Sequence, residues 1–387
     1  MNSRERVLTA LAHQEPDRVP VDFLATPEVW KKLVDHFQTS KAQIDSGGFL
    51  SPEREAVLRQ LQVDCRLISY DMFCSPPEGF LKPGARVDWE SSLARSTPNR
   101  MWRQVLPDGT YMDIWGHHTR VVENPTGCYE EFASFPLESA ESVNDLRSYP
   151  WPDPDWWETS SVSAALDKID PDQDLHVRIR SGSIFESAWQ LRGMERFMMD
   201  LALDPAIPEY ILDRITEILV EVTRRLLDAA GDRVFMVYFY DDVGAQDKLL
   251  ISKRMWERFL RPRHKQIVDL AHSYGKSVMY HCDGAIYTLL EDLIDLGIDV
   301  LNPVQPTARD MAPERLKSEF GDRLSFHGGI DIVDLLPKGT PDEVRADVRQ
   351  RVKVMGKGGG YIMCSSHHIQ PDTPVENILA MYELGLR

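Results

Sequence analysis

His281, Cys282 and Asp283 stand side by side where the apolar run "SVMY" ends, and a helix-like pattern, "AIYTLLEDL", follows at once. Loops that join core elements are usually filled by Gly, Pro, Asn and Ser for conformational reasons. An imidazole, a thiol and a carboxylate at such a junction are potential metal ligands or proton carriers instead. Successive side chains of a strand point to opposite faces, so residues 281 and 283 share a face while Cys282 packs on the other.

The elements around this junction form a series. "RVFMVYFYDDVG" (233–244), "KSVMYHCDG" (276–284), "VLNPVQ" (300–305), "RLSFHGGID" (323–331) and "GGYIMCSSHH" (359–368) read as strands. Each is followed by a helical pattern of ordinary length; the one after 244, residues 252–275, starts at a plausible Ser252 cap. That alternation predicts repeated βα units and a parallel sheet. In the first half, residues 18–24, "CRLISYD" (65–71) and "LHVRIRSGS" (175–183) also read as strands. Residues 74–160 are rich in Pro, Gly and Trp, carry a turn signal at Pro107-Asp108-Gly109, and read as an antiparallel β insertion between strands 2 and 3. The expected fold is α/β: one (β/α)8 TIM-type barrel over residues 1–387 with that β-rich insertion.

In such barrels chemistry sits at the C-terminal ends of the strands, and strands buried on both faces should be nearly all apolar. Here nearly every expected strand end carries polar residues: Asp71, Ser181, Asp241 and Asp242, His281 and Asp283, Asn302 and Gln305, His327 and Asp331, Ser366 and His367. That pattern points to an enzyme. Asp71, Asp241 and Asp242 are candidate acid–base residues, and Glu186, after the third strand, is a candidate general base or further ligand. Ser181, Asn302, Gln305, His327 and Asp331 are candidate substrate-binding groups. Blander readings stand beside these. Asp241 or Asp242 could cap a helix; His327 could be a satisfied core histidine, with Gly328 and Gly329 allowing a ligand close approach to the backbone. His117 and His118 read as surface or lid, Trp151, Trp156 and Trp157 as packing under a loop, and Gly358–Gly360 as no phosphate loop because a strand follows.

The net charge of −17 argues against nucleic acid and anionic membrane as partners. Five cysteines at 65, 74, 128, 282 and 364, widely spaced and without a CxxC, suit free thiols in a reducing cytoplasm. The amphipathic start "MNSRERVLTALAHQEPDRVP" lacks the apolar core of a signal peptide, and no stretch is apolar enough for a membrane span.

"RVPVDF", "LEDLIDLGIDVLNPVQP", "LKSEFGDRLSFHGGID" and "HHIQPDTPVENILAMYE" resemble the uroporphyrinogen decarboxylase superfamily, essentially over the whole chain and most strongly after residue 230. The resemblance implies a (β/α)8 barrel with a deep cleft at the strand C-termini, and one of two chemistries. One is cofactor-free decarboxylation of the acetate arms of uroporphyrinogen; the other is zinc-dependent methyl transfer between a methylated corrinoid protein and a small substrate such as a thiol. The decarboxylases resemble one another in an Arg-rich "RQAGRY" motif. This chain has "DFLATPEVWKKL" there, with Lys31 and Lys32 but no Arg, whereas a tetrapyrrole with eight carboxylates needs several cationic partners. Asp71, in "ISYDMF", falls where the family carries a functional Asp, which keeps decarboxylation open. The methyltransferases resemble one another in a His-x-Cys after the fifth strand and a lone Cys after the eighth. By that resemblance the metal ligands here are His281, Asp283 in place of the first Cys, and His367 in place of the second, with Cys364 nearby. Such a set is harder than His/Cys/Cys and suits zinc or another divalent metal.

The expectation is therefore a cytoplasmic, metal-assisted methyltransferase or demethylase acting on a small methylated substrate, with cobalamin supplied by a corrinoid partner protein and a homodimer among its expected assemblies. The alternative is a cofactor-free decarboxylase of a uroporphyrinogen-like or smaller carboxylated substrate. A non-catalytic barrel presenting a corrinoid partner is a third reading, against which the polar strand ends count.

Overall fold

The computed structural model describes residues 1–41, 51–88, 102–124 and 127–383. Seven parallel strands form one curled sheet: β1 (Cys65–Ser69), β7 (His176–Gly182), β8 (Met236–Tyr240), β9 (Ser277–His281), β10 (Val300–Val304), β11 (Ser325–Ile330) and β12 (Tyr361–Ser365), adjacent in that order. Between β1 and β7 the chain builds a separate antiparallel sheet of five strands, β2 (Arg86–Asp88), β3 (Arg103–Val105), β4 (Tyr111–Asp113), β5 (His118–Asn124) and β6 (Gly127–Ser134). The part of the predicted β-rich stretch at 89–101 lies outside the described residues.

Residues 18–24, expected as a strand, make only isolated parallel bridges, Val21 with Met363 and, just beyond, Ala25 with Ile369. Pro20 has no N–H to give, and the Phe23 N–H is taken by Asp22 Oδ1 at 2.8 Å, so a regular ladder cannot form. The segment still joins the two edges of the sheet. Asp22 N–H donates to Met363 O at 2.9 Å on one side, and Asp64 N–H donates to Val21 O at 2.9 Å on the other. Buried Asp64 fastens this end, accepting from Arg6 and Arg18 (both 2.7 Å) and from the Val21 N–H (2.8 Å). The Asp64 contacts lie just before β1 begins, at the N-terminal ends of the strands, the side associated with stability.

The helices between strands follow from apolar spacing. In Ala206–Ala230 the buried Ile207, Ile211, Ile215, Leu219, Val222 and Leu226 recur every three or four residues, so one stripe faces the sheet. The helix expected over 252–275 is interrupted: a π turn at Trp256–Leu260 separates Lys253–Met255 from Arg261–Ser273. Pro262 lacks the N–H that a continuous helix would need. All five residues of β10 and of β12 are buried, as expected for strands covered on both faces.

In the antiparallel sheet Gly109 takes φ +84° at the predicted turn between β3 and β4, a left-handed geometry that Gly adopts without a Cβ penalty. His117, expected at the surface or on a lid, is buried and bonded to Asp113 at 3.0 Å, while His118 bridges Thr110 and Ser134. Trp151 and Trp157 are packing residues whose indole N–H groups donate to Leu146 O and Tyr70 O.

Candidate metal centre

Two strand ends converge on one cluster. His281 is the last residue of β9; Asp283 follows two positions later, and His367 lies two beyond the end of β12. Their ligand atoms all lie within 4.8 Å of one another. His281 Nε2 is 3.8 Å from Asp283 Oδ1, and His367 Nε2 is 3.6 Å from Asp283 Oδ2. Bonds of about 2.0–2.2 Å place ligand atoms roughly 3.3–3.6 Å apart around a tetrahedral ion, so small side-chain shifts would accommodate one. Asp283 Oδ1 is itself buried without a hydrogen-bond partner, an expensive state for a carboxylate oxygen unless a cation meets it. Two imidazoles and a carboxylate fit a divalent metal such as zinc.

Asp242, just past β8, adds negative charge: its Oδ1 is 3.8 Å from His281 Nε2 and accepts the Asp283 N–H at 2.8 Å. Glu186 Oε1 in turn accepts the Asp242 N–H at 3.1 Å. Burial, then the charges of Asp242 and Asp241, push the Glu186 carboxyl well above the ordinary glutamate range. Burial likewise depresses His367 and, more strongly, His368, so both imidazoles are biased toward the neutral form that metals bind. Gln305 Oε1 holds the Gly284 N–H at 2.8 Å, and Ala285 N–H donates to Ala245 O at 2.7 Å, so the turns after β8 and β9 are clasped together.

Several predicted residues sit elsewhere. Asp241 is fully buried on the other side of β8's end; its Oδ1 accepts the N–H groups of Ile184, Phe185 and Glu186, and its Oδ2 meets His264 at 2.6 Å. It caps the helix Phe185–Arg192 and has no lone pair aimed at the cluster. Asp331 is spent in the same way on the N–H groups of Val333, Asp334 and Leu335. Ser181 points out of the inner face toward Tyr238 O at 3.4 Å. Cys364 is buried beside Ser365, outside the cluster, and Cys282 Sγ accepts the Val243 N–H at 3.3 Å. Burial pushes both thiols up, away from the thiolate a metal would need. The positive-φ Gly328 makes room for Pro303 of β10, whose Cβ would lie 3.0 Å from an added Cβ, so its close approach serves a neighbouring strand.

Asn302 and His327 do reach the cluster, indirectly: Asn302 Oδ1 meets His281 Nδ1 at 2.5 Å, and its Nδ2 meets His327 Nδ1 at 2.5 Å. Asp71 lies at the mouth, where Oδ2 pairs with Arg180 at 3.2 Å and Oδ1 is buried without a partner. Sequence reasoning missed Asp22, Arg178 and Arg180. The signal was available in "LHVRIRSGS", since two cations alternating inside an otherwise apolar strand must face the interior and find acids there; Arg178 pairs with Asp22 at 2.6 Å.

The family model described as uroporphyrinogen decarboxylase (URO-D) matches residues 134–385. The chain belongs to the uroporphyrinogen decarboxylase family. Both of that family's named chemistries occur among its relatives. A methylcobamide:CoM methyltransferase of Methanosarcina barkeri is 28% identical over 173 residues, 45% of this chain and 47% of its own length. A uroporphyrinogen decarboxylase of Thermus thermophilus is 28% identical over 193 residues, covering 49% and 52%. A methylated-thiol–coenzyme M methyltransferase of Methanosarcina mazei is 26% identical over 251 residues, 63% of each. The chain thus spans about half the length of the first curated relatives it matches. Among solved structures, a methyltransferase from Methanosarcina mazei superposes with a TM-score of 0.63 at 16% identity, covering 100% of both chains, which establishes a shared fold. Among the described residues no helix is long and apolar enough to cross a membrane.

Proposed function

We propose that this URO-D family member is a metal-assisted methyltransferase acting on a small methylated substrate, with a corrinoid protein as the other partner. The observation that carries the reading is the His281/Asp283/His367 cluster, with its orphaned Asp283 oxygen, at the C-terminal strand ends. Methyltransferases among the relatives support it. On this reading residues 1–387 form one eight-stranded (β/α)8 unit, in which residues 20–25 stand for the first strand and the antiparallel sheet is an insertion.

A bound zinc would hold the substrate heteroatom and favour its anionic form. The residues around it have distinct tasks. His281, Asp283 and His367 would supply its ligands. Asp242 fixes the turn that carries Asp283. Glu186, protonated more readily than an ordinary glutamate, can give or take a proton at its carboxyl, which sits against the Asp242 N–H. Arg180 lies over the Tyr240 ring, 5.9 Å from its centroid, on the same strand-end side as Asp242.

Decarboxylation stays as a second reading because of one pair, Asp71 with Arg180, at the same mouth. Against a tetrapyrrole, both interior cations are already neutralised, Arg178 by Asp22 and Arg180 by Asp71.

The test is metal content of untagged protein, wild type against His281→Ala, followed by methyl transfer between thiols and free cobalamin, assayed in the reverse direction from methylcobalamin to a panel of thiols. About one equivalent of zinc, lost in the variant, together with demethylation of the cobalamin, is the expected result. No metal in either protein, with carbon dioxide released from a carboxylated substrate, would move the assignment to the second reading.

A further inference from the structure

A continuous line of hydrogen bonds runs from the cluster into the centre of the sheet. His281 Nδ1 meets Asn302 Oδ1 (2.5 Å), Asn302 Nδ2 meets His327 Nδ1 (2.5 Å), and His327 Nε2 meets Asp22 Oδ2 (2.9 Å). Arg178 closes the line on the same Asp22 oxygen at 2.6 Å. Every member is buried.

The line has a direction, and its far end sets it. An ionised carboxylate only accepts, and Asp22 accepts from Arg178, His327 and its own neighbour Phe23. His327 must therefore carry its proton on Nε2. Burial disfavours a second proton on that ring, outweighing the pull of Asp22, and the Asn302 amide that meets Nδ1 finds an acceptor there. Asn302 must then present its NH2 to His327 and its oxygen to His281. That oxygen can only be met by an N–H, so Nδ1 of His281 carries a proton and Nε2 is the ring nitrogen that faces Asp283, Asp242 and His367.

We propose that Asp22, His327 and Asn302 are positioning residues that lock His281 in the Nδ1–H tautomer, holding its Nε2 ready as a metal ligand before any metal arrives. The proposal rests on the metal reading for its purpose but not for its test. Partners that orient a ligating histidine typically matter 10–100-fold in metal affinity.

The test uses the full chain, labelled with ¹⁵N-histidine and stripped with chelator, so that long-range ¹H–¹⁵N spectra report each ring's tautomer; His281→Gln assigns the signal. Wild type is expected to show His281 as the Nδ1–H tautomer alone. Asn302→Leu should release it to a mixture and weaken zinc binding, read by dye competition, about 10–100-fold. His327→Leu, at a side chain with no hydrogen bond to any proposed ligand, should weaken zinc in the same direction. His327→Gln, which can still donate to Asp22 and accept from Asn302, should restore it. An Nε2–H tautomer or a mixture in the wild type would overturn the proposal, needing no variant to fold. So would zinc affinity unchanged by Asn302→Leu. If zinc fails to bind even the wild type, the metal reading falls while the spectrum still decides the tautomer.

Discussion

Asp241 and Asp242 are neighbours in the chain, and each faces a histidine, yet the two His–Asp arrangements differ in kind. His264 and Asp241 are both fully buried and meet at 2.6 Å; three backbone N–H groups occupy the other Asp241 oxygen. His281 stands 3.8 Å from Asp242 and from Asp283, whose side chains are 37% and 33% exposed, and Asp283 Oδ1 has no partner. The same residue types therefore make a fastener in one place and a receptor in the other. What separates them is saturation: a carboxylate with every lone pair committed holds the fold, while one with a lone pair left over has room for a ligand.

The sharpest way to break this contrast is Asp241→Ala. It leaves His264 buried beside three unmet N–H groups, and about 3–5 kcal/mol of stability should go. Chemical denaturation of the metal-stripped protein measures it; a loss under about 1 kcal/mol would mean that the fastener is not one. On the receptor side, a hundredfold excess of zinc over Kd should add about 2.7 kcal/mol to wild type and nothing to His281→Ala. Thermal melts with and without chelator read this, and equal zinc shifts in both proteins would remove His281 from the centre.

Glu186 sharpens the comparison by pH. Its carboxyl is pushed up, so the native state keeps the proton longer than the unfolded chain does. In chelator, wild type should lose stability as pH rises from the unfolded glutamate value, roughly 4.3, through the higher folded one. Glu186→Gln has no proton to give up, so its melting temperature should gain on wild type across that window and then level off. A pH-independent difference would count against the crowding of carboxylates described for this site. The smallest effect is expected from Cys364→Ala: zinc affinity within about twofold of wild type, because the thiol lies outside the cluster and resists ionisation. A tenfold drop would bring sulfur back into the site.

Much of this was legible in the chain because strand alternation is a strict rule. The inward face of His281 follows from period two, Asp283 two residues past the strand end lands where that alternation points, and the βα series after residue 230 announces itself through apolar runs of strand length. Saturation was not legible. Whether Asp241 and Asp331 cap helices or line a site depends on which N–H groups lie within 3 Å or so, and those belong to residues up to 57 positions away. The strand expected at 18–24 shrank to bridges because Pro20 and the Asp22 side chain disturb the ladder, local effects that an apolar pattern does not register. His367, two residues past the end of β12, was placed by family resemblance and not by periodicity.

The clasp between the turns after β8 and β9 has a consequence for how this site could change. A methyl group added at Gly244 would lie 2.5 Å from Asp283 O, and one added at Gly284, held at φ +87°, would lie 2.5 Å from Ala245 O. Neither position has a single-substitution path to a larger residue that leaves both turns in place. The spacing of the two acids is thus written into the backbone, and a lineage or a designer seeking another metal would have to work through the side chains at 242, 283 and 367, because the frame that carries the first two does not vary by degrees.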